Sequence, residues 1–333
     1  MKKNNTTEIR ALKGKTTENI SMYFKTQAVP LIVLIVMGII ASTLSPYFLT
    51  STNLQNLLVQ IALSMVVSMG MFTVILTNGI DLSVGSLVAL SGVLAAGFMG
   101  DMPVWIALIF TILITTAIGL VTGAIVSALK IAPFIVTLGM LSFVSGLAFW
   151  YTNSSPISWR TLKGAKFISY IGSESVWGIP VLAFIWIIIV CITAFIMKKT
   201  IVGRIMYAIG GNETALKLSG INAIKWKIFP YAFSGFCCGI GGILLMSRLG
   251  VGSPTSGTGL ELDCIAAVVI GGTSFNGGIG NVSGVVIGVF VLGIINNILD
   301  LMNVPSYPQL MLKGAIIVLA VILSTIREKN ISC

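Results

Sequence analysis

Apolar stretches long enough to cross a bilayer follow one another from Ala28 to Ile326, and a chain of that kind has lipid rather than water as its solvent. In hydrocarbon every backbone N–H and C=O must be satisfied within the protein, which favours helices. A span needs about 20 mostly apolar residues. On that scale the sequence predicts helices at 28–45, 57–77, 80–98, 104–128, 133–152, 179–197, 227–248, 263–275, 283–299 and 309–326. The expected fold class is all-α, a polytopic membrane protein of about ten transmembrane helices, with tails at 1–27 and 327–333 flanking a membrane domain at 28–326. Composition agrees: 56% of residues are hydrophobic and 9% charged, against about 25% charged in soluble domains, so a water-soluble core is excluded. Two expected helices are irregular. The one at 80–98 opens on Asp81, and the one at 263–275 is too short to span unless it continues irregularly through the glycine-rich stretch to Asn281. Both read as broken helices, which are tolerated at membrane depth only where protein or a water-filled cavity surrounds the freed backbone.

The basic residues set the orientation. With ten spans, both termini share a side with Lys130, Lys198, Lys199, Arg204, Lys217, Lys225 and Lys227, while Arg160, Lys163, Lys166, Arg248 and Lys313 fall on the other. Lys and Arg concentrate on the cytoplasmic side, so both termini and the 198–227 loop are expected there. The net charge of +10 is then mainly a topology signal, and no patch calls for nucleic acid. The stretch beginning at Ala28 has the length of a span and no small-residue cleavage site after it, so it reads as the first transmembrane helix rather than a signal peptide. Cys191, Cys237, Cys238, Cys264 and Cys333 form neither a metal-ligand spacing nor a disulfide framework.

The chemistry that would make this chain an enzyme or a self-powered pump is missing from the pattern. Gly14-Lys15-Thr16 resembles the end of a phosphate loop, but Ile9 stands where the first glycine belongs, and no strand precedes it. The chain has no histidine, so a proton relay would have few members. No nucleophile elbow, metal cluster or paired carboxylates in a shared span suggest catalysis. Energy must come from a partner, or transport must be passive.

The most specific local sequence is Gly79-Ile80-Asp81-Leu82-Ser83-Val84-Gly85-Ser86. It reads as a helix start, with Asp81 capping backbone N–H groups beside Ser83, and Gly79 and Gly85 admitting close backbones. An acid within a span is also a candidate for substrate contact, though its place near the span boundary favours architecture. This segment is followed by Gly203-Arg204-Ile205-Met206-Tyr207-Ala208-Ile209-Gly210-Gly211-Asn212 and Leu218-Ser219-Gly220-Ile221-Asn222, then by Gly271-Gly272-Thr273 and Gly277-Gly278-Ile279-Gly280. Together they resemble the permease subunit of bacterial ABC importers for ribose and related monosaccharides, in the right order across residues 50–326. The resemblance implies a type II ABC importer-like permease domain in the bacterial cytoplasmic (inner) membrane, paired with a second permease subunit, expected to be an identical copy. It also implies an extracytoplasmic sugar-binding protein that delivers the solute and a cytoplasmic ATPase that binds the ATP, so no cofactor is expected in this chain. Within the resemblance, a nucleoside or branched-chain amino acid is the alternative solute. Outside it, a secondary carrier or channel would transport alone.

The residues of the 198–227 loop fit such a partner. Asn212 is expected to cap a short helix through Ala215, Leu216 and Leu218, ended by Gly220, either as a peg docking into a groove of the ATPase or as a basic loop on anionic headgroups. Laying 79–92 on 259–272 aligns Gly79 with Gly259, Asp81 with Glu261, Leu82 with Leu262 and Gly92 with Gly272. This is the pattern of an inverted repeat, although chance matching in Gly/Leu-rich sequence competes. Glycines four apart, at 119 and 123, 235 and 239, and 280, 284 and 288, read as seams for helix packing within the subunit, a role also expected of Gly271 and Gly272. Gln60, Ser64, Ser68, Ser91, Asn296 and Asn297 either bond between helices or line a pathway. On the outer side Arg160, Lys163, Lys166 and Arg248 are either contacts for the binding protein or solvated loop charge.

Overall fold

The computed structural model describes residues 28–331. The N-terminal tail, with its basic residues and the Gly14-Lys15-Thr16 fragment, and Cys333 lie outside the described residues. The chain forms α1 (Ala28–Leu44), α2 (Ser51–Leu76), α3 (Val84–Asp101), α4 (Val104–Leu129), α5 (Pro133–Thr152), α6 (Ala165–Ser173), α7 (Val181–Lys199), α8 (Ile201–Leu218), α9 (Ala223–Leu249), α10 (Leu260–Ile270), α11 (Val282–Leu301) and α12 (Ser306–Ile331). Among the described residues seven of these, α2, α3, α4, α5, α7, α9 and α11, are long and apolar enough to cross a membrane. Helix α1 is shorter, α10 has 11 residues, and α12 runs on through the polar Arg327-Glu328-Lys329-Asn330.

Several boundaries differ from those expected, and local capping explains them. Helix α2 begins six residues before the apolar run because Thr50 Oγ1 accepts the Asn53 N–H at 3.3 Å, and α9 begins at Ala223 because Asn222 Oδ1 accepts the Ile224 N–H at 3.0 Å. The 198–227 segment is mostly helical rather than a loop. The outer connection between α5 and α7 also holds more structure than expected. Strand β1 (Ile157–Ser158) pairs antiparallel with β4 (Val251–Gly252). Helix α6 buries Ile168 and Ile171, and β2 (Ser175–Val176) turns into β3 (Ile179–Pro180) through Trp177 and Gly178, both at positive φ. These elements are too short to carry a periodic hydrophobic signal.

Helices α2, α3 and α9 are largely buried within the protein, whereas α4, α5 and α7 bury only a minority of their residues. The interior is therefore a three-helix centre with a lipid-facing shell. The glycine seams meet face to face. A Cβ on Gly119 would collide with the carbonyl oxygen of Tyr231 and one on Gly235 with that of Thr115, while Gly239 faces Ile112 and Thr115. Thus the pair on α4 and the pair on α9 form a single contact, as small residues do where backbones approach. Ser91 Oγ donates to the Gly239 carbonyl at 2.6 Å, tying α3 to the same line. Gly284 and Gly288 pack against the backbone of Gly271 and Ala267, joining α11 to α10.

Candidate functional site

The three motifs, spread through the sequence from Gly79 to Gly280, converge at one end of the bundle. The Gly278 N–H donates to the Leu76 carbonyl at 2.9 Å. Gly277 lies so near that an added Cβ would stand 2.9 Å from Leu76 O, and 3.0 Å from both Asn78 N and Gly210 Cα. A Cβ on Gly210 would collide with Leu76 O and Gly278 N, and Tyr207 Oη donates to the Gly280 carbonyl at 2.8 Å. The end of α2, the first half of α8 and the glycine turn at 271–281 therefore form one close-packed unit. Gly272, Gly277 and Gly278 all have positive φ, so this turn depends on glycine for its backbone as well as its space. Gly272 is thus a turn residue rather than a helix-packing one.

Asp81 is buried within the protein at this helix start. It is 1% exposed. Its Oδ1 accepts the Ser83 N–H at 3.0 Å and the Ser83 hydroxyl at 2.6 Å, and its Oδ2 accepts the Ser234 hydroxyl of α9 at 2.8 Å. The carboxyl group ties the non-helical segment before α3 to the centre of α9, and a polar group so deeply buried is retained only when bonded in this way. The freed backbone beside it is also satisfied: Gly79 N–H bonds the Val74 carbonyl at 3.0 Å, and Thr137 Oγ1 bonds the Ile80 carbonyl at 3.2 Å. Helix α3 thus starts at Val84 after a non-helical lead that ends in a turn, and α10 starts at Leu260 after the stretch that follows β4. A Cβ on Gly85 would stand 2.5 Å from both Gly257 O and Glu261 Oε2, so the two helix starts meet. Gly79 packs against the Tyr231 hydroxyl.

The second half of α8 is the exposed element. Asn212 interrupts the helix at φ −160°, ψ 95°, and its Oδ1 accepts the Ala215 N–H at 2.9 Å, restarting it. Ser219 caps the end and Gly220 leaves at φ +81°. This matches the expected short helix, with one correction: Leu216 is only 8% exposed and packs with Ile205, Ile209 and Ala223, so it anchors the element to its own subunit. Leu218 is 86% exposed, and Ala215 is also exposed. Glu213 and Lys227 were not apparent as site residues in the sequence. Glu213 pairs with Lys217 at 2.8 Å and with Lys227 of α9 through a short contact. Partial burial pushes the Glu213 carboxyl up, but hydrogen bonds and charges from Lys217 and Lys227 outweigh it and hold it below the usual glutamate range.

At the opposite end Arg160, Lys163, Lys166 and Arg248 are all exposed. The β1–β4 pairing sets Arg160 over Gly250, and Trp159 Nε1 donates to the Met246 carbonyl at 2.8 Å, fixing that loop on the end of α9. The polar residues expected along a pathway separate into two groups. Gln60, Ser64 and Asn296 line one cleft together with Asp263, which the sequence pattern did not single out. Asn297 points elsewhere: it exchanges amide bonds of 2.9 and 3.0 Å with the buried Asn53, which pins α11 to α2. Ser68 is fully buried beside Cys264, and it too belongs to packing.

This architecture is that of a multi-pass membrane permease. Residues 53–321 match the family described as branched-chain amino acid transport system / permease component, and the chain belongs to that family. It is 42% identical over 299 residues to the ribose import permease protein of Escherichia coli strain K12, covering 90% of this chain and 93% of that one. It is also 42% identical over 304 residues to the ribose import permease protein of Bacillus subtilis strain 168, covering 90% and 92%. The D-allose transport system permease protein of E. coli K12 is 34% identical over 313 residues, covering 93% and 95%. No solved structure matches the chain.

Proposed function

We propose that this chain is the membrane subunit of an ATP-driven importer that passes a ribose-like monosaccharide inward from an extracytoplasmic binding protein. The observation that carries the reading is 42% identity with ribose import permeases across 90% of the chain. The exposed half of α8 supports it, because a short helix with Leu218 at its surface, braced by Glu213 and rooted by Leu216, suits docking into an ATPase groove. ATP belongs to that partner, and two copies of this chain form the pathway. The basic group at Arg160, Lys163, Lys166 and Arg248 orients the binding protein on the outer face.

In this reading α1, α10 and α12 join the seven long helices to give ten crossings, with both termini and α8 in the cytoplasm. The bias of basic residues supports that orientation. Helices α3 and α10 then run in opposite senses from starts that meet at Gly85 and Glu261, an arrangement expected of an inverted repeat. The test is reconstitution in proteoliposomes with the ATPase and binding protein, assayed with labelled ribose. Uptake requiring all three proteins and ATP is expected, and uptake by this chain alone would identify a carrier or channel instead. The family description favours a second reading, a branched-chain amino acid as solute, and labelled leucine in the same vesicles separates the two.

A further inference from the structure

The cleft between α2, α10 and α11 holds polar groups left over from the fold. Gln60, Ser64, Asp263 and Asn296 line it, with Ile61 and Leu292 forming its apolar wall. Gln60 Nε2 donates to Asp300 Oδ2 at 3.0 Å, which leaves its carbonyl oxygen open. Lys313 Nζ of α12 pairs with Asp263 Oδ2 at 2.9 Å, which leaves Oδ1 open. Among the described residues, neither Ser64 nor Asn296 has a hydrogen-bond partner. Such groups at the depth of a membrane helix, half-buried rather than fully wet, stay without cost only if water or a solute bonds them.

The arrangement has the chemistry of a sugar. A monosaccharide presents hydroxyls that donate and accept on its rim and an apolar C–H face. The cleft presents a fixed carboxylate acceptor, an amide offering both functions, a hydroxyl, and an aliphatic wall. With Asp300 beside it, the local charge is more negative than positive, which disfavours anionic solutes. We propose that this cleft is a contact point for sugar hydroxyls on the translocation path, with Asp263 as the principal acceptor, Asn296 and Ser64 completing the set, and Lys313 positioning the Asp263 carboxylate. The proposal rests on the monosaccharide reading above. A site built to bond hydroxyls discriminates by leaving its own polar groups unpaired when the hydroxyl is missing.

The test uses the complete importer in proteoliposomes, with ribose, ATP and loaded binding protein, and compares wild type with Ser64→Ala, Asn296→Ala, Asp263→Asn and the exchange Asp263→Lys with Lys313→Asp. Asp263→Asn and Asn296→Ala are expected to lower the turnover number for uptake about tenfold. The KM for loaded binding protein should be unchanged, because Arg160, Lys163, Lys166 and Arg248, the surface proposed for it, do not line the cleft. ATP hydrolysed per ribose imported should rise correspondingly, a ratio internal to each preparation and therefore insensitive to loss of folded protein. The exchange restores the ion pair without returning the carboxylate to α10, so it should not restore uptake. Recovery of uptake by the exchange would reduce Asp263 to a strut and overturn the proposal. Wild-type turnover and ATP ratio in both Asn296→Ala and Ser64→Ala would overturn it as well. Wild-type vesicles that import no ribose would instead overturn the monosaccharide reading, and this inference with it.

Discussion

Asp81 shows how one polar side chain can organise a break in a membrane helix. Its two oxygens satisfy a backbone N–H and two hydroxyls from separate elements, so the cost of burying it is offset by bonds that also fix where α3 begins. Asp81→Asn keeps an acceptor for Ser83 and turns the Ser234 contact into a bond donated by the amide, whereas Asp81→Ala strands three donors. Thermal unfolding in detergent should show a small change for the first and a loss of about 1–3 kcal/mol or more for the second; equal Tm values would refute the role. The glycines make a different residue-scale argument. Gly85→Leu places a side chain into Gly257 and Glu261, and Gly272→Leu forces a branched residue to φ +86°. Both should insert into the membrane yet assemble or transport poorly. Normal assembly and transport would reject close packing at Gly85 and the need for glycine in the turn at Gly272.

At the scale of elements, the kinked α8 divides two tasks between two leucines two residues apart, which puts them on opposite faces of the helix. Leu218→Asp should weaken co-purification of the ATPase while leaving the fold intact, since a carboxylate does not enter an apolar groove cheaply. Leu216→Asp acts through its own subunit, by disrupting the contacts with Ile205 and Ile209, and should raise protease sensitivity around residues 212–220 even without the ATPase. Retained ATPase binding and sugar-stimulated hydrolysis in both variants would return this element to the lipid surface. The Glu213 bridge adds a pH dependence. Its carboxyl is held below its ordinary value of 4.5, so its contribution to holding α8 against α9 is complete above about pH 4.5 and is lost as pH falls through the lowered folded value. Protection of the amides of residues 213–218, taken against the intrinsic exchange rate at each pH, should accordingly fall in acid in the wild type, and Glu213→Gln should remove that dependence. An unchanged acid response in Glu213→Gln would show that another group governs it.

Across the whole molecule the polarity of the two ends is consistent with a bilayer. Trp105, Trp150, Trp177 and Tyr307 are exposed near the end that carries Arg160 and Lys163, as aromatic side chains are at a membrane interface; Trp177, at the tip of the hairpin, is 93% exposed. Single cysteines at Thr214 and Lys163, both exposed, test the orientation in a background lacking the native thiols. An impermeant maleimide should label position 163 from outside intact cells, and position 214 only after the cytoplasmic face is opened. Labelling of position 214 from outside would overturn the ten-crossing arrangement and the docking role of α8 together.

Sequence alone determined that the chain lives in lipid, roughly where its long helices lie, and that small residues four apart would bring helices together, because apolar length and residue size act locally and leave a regular trace. It also marked the 212–220 element, through a capping Asn and a terminal Gly whose effects reach only a few residues. Tertiary structure decided what each polar residue faces. Leu216 turned inward while Leu218 stayed out because α9 covers one side of α8, a fact absent from the short segment that holds both. Asn297 became half of an amide pair with Asn53, 244 positions away, while its neighbour Asn296 opened into the cleft with Asp263. Adjacent residues on a helix point about 100° apart, so their fates diverged with the neighbours that folding brought to each face.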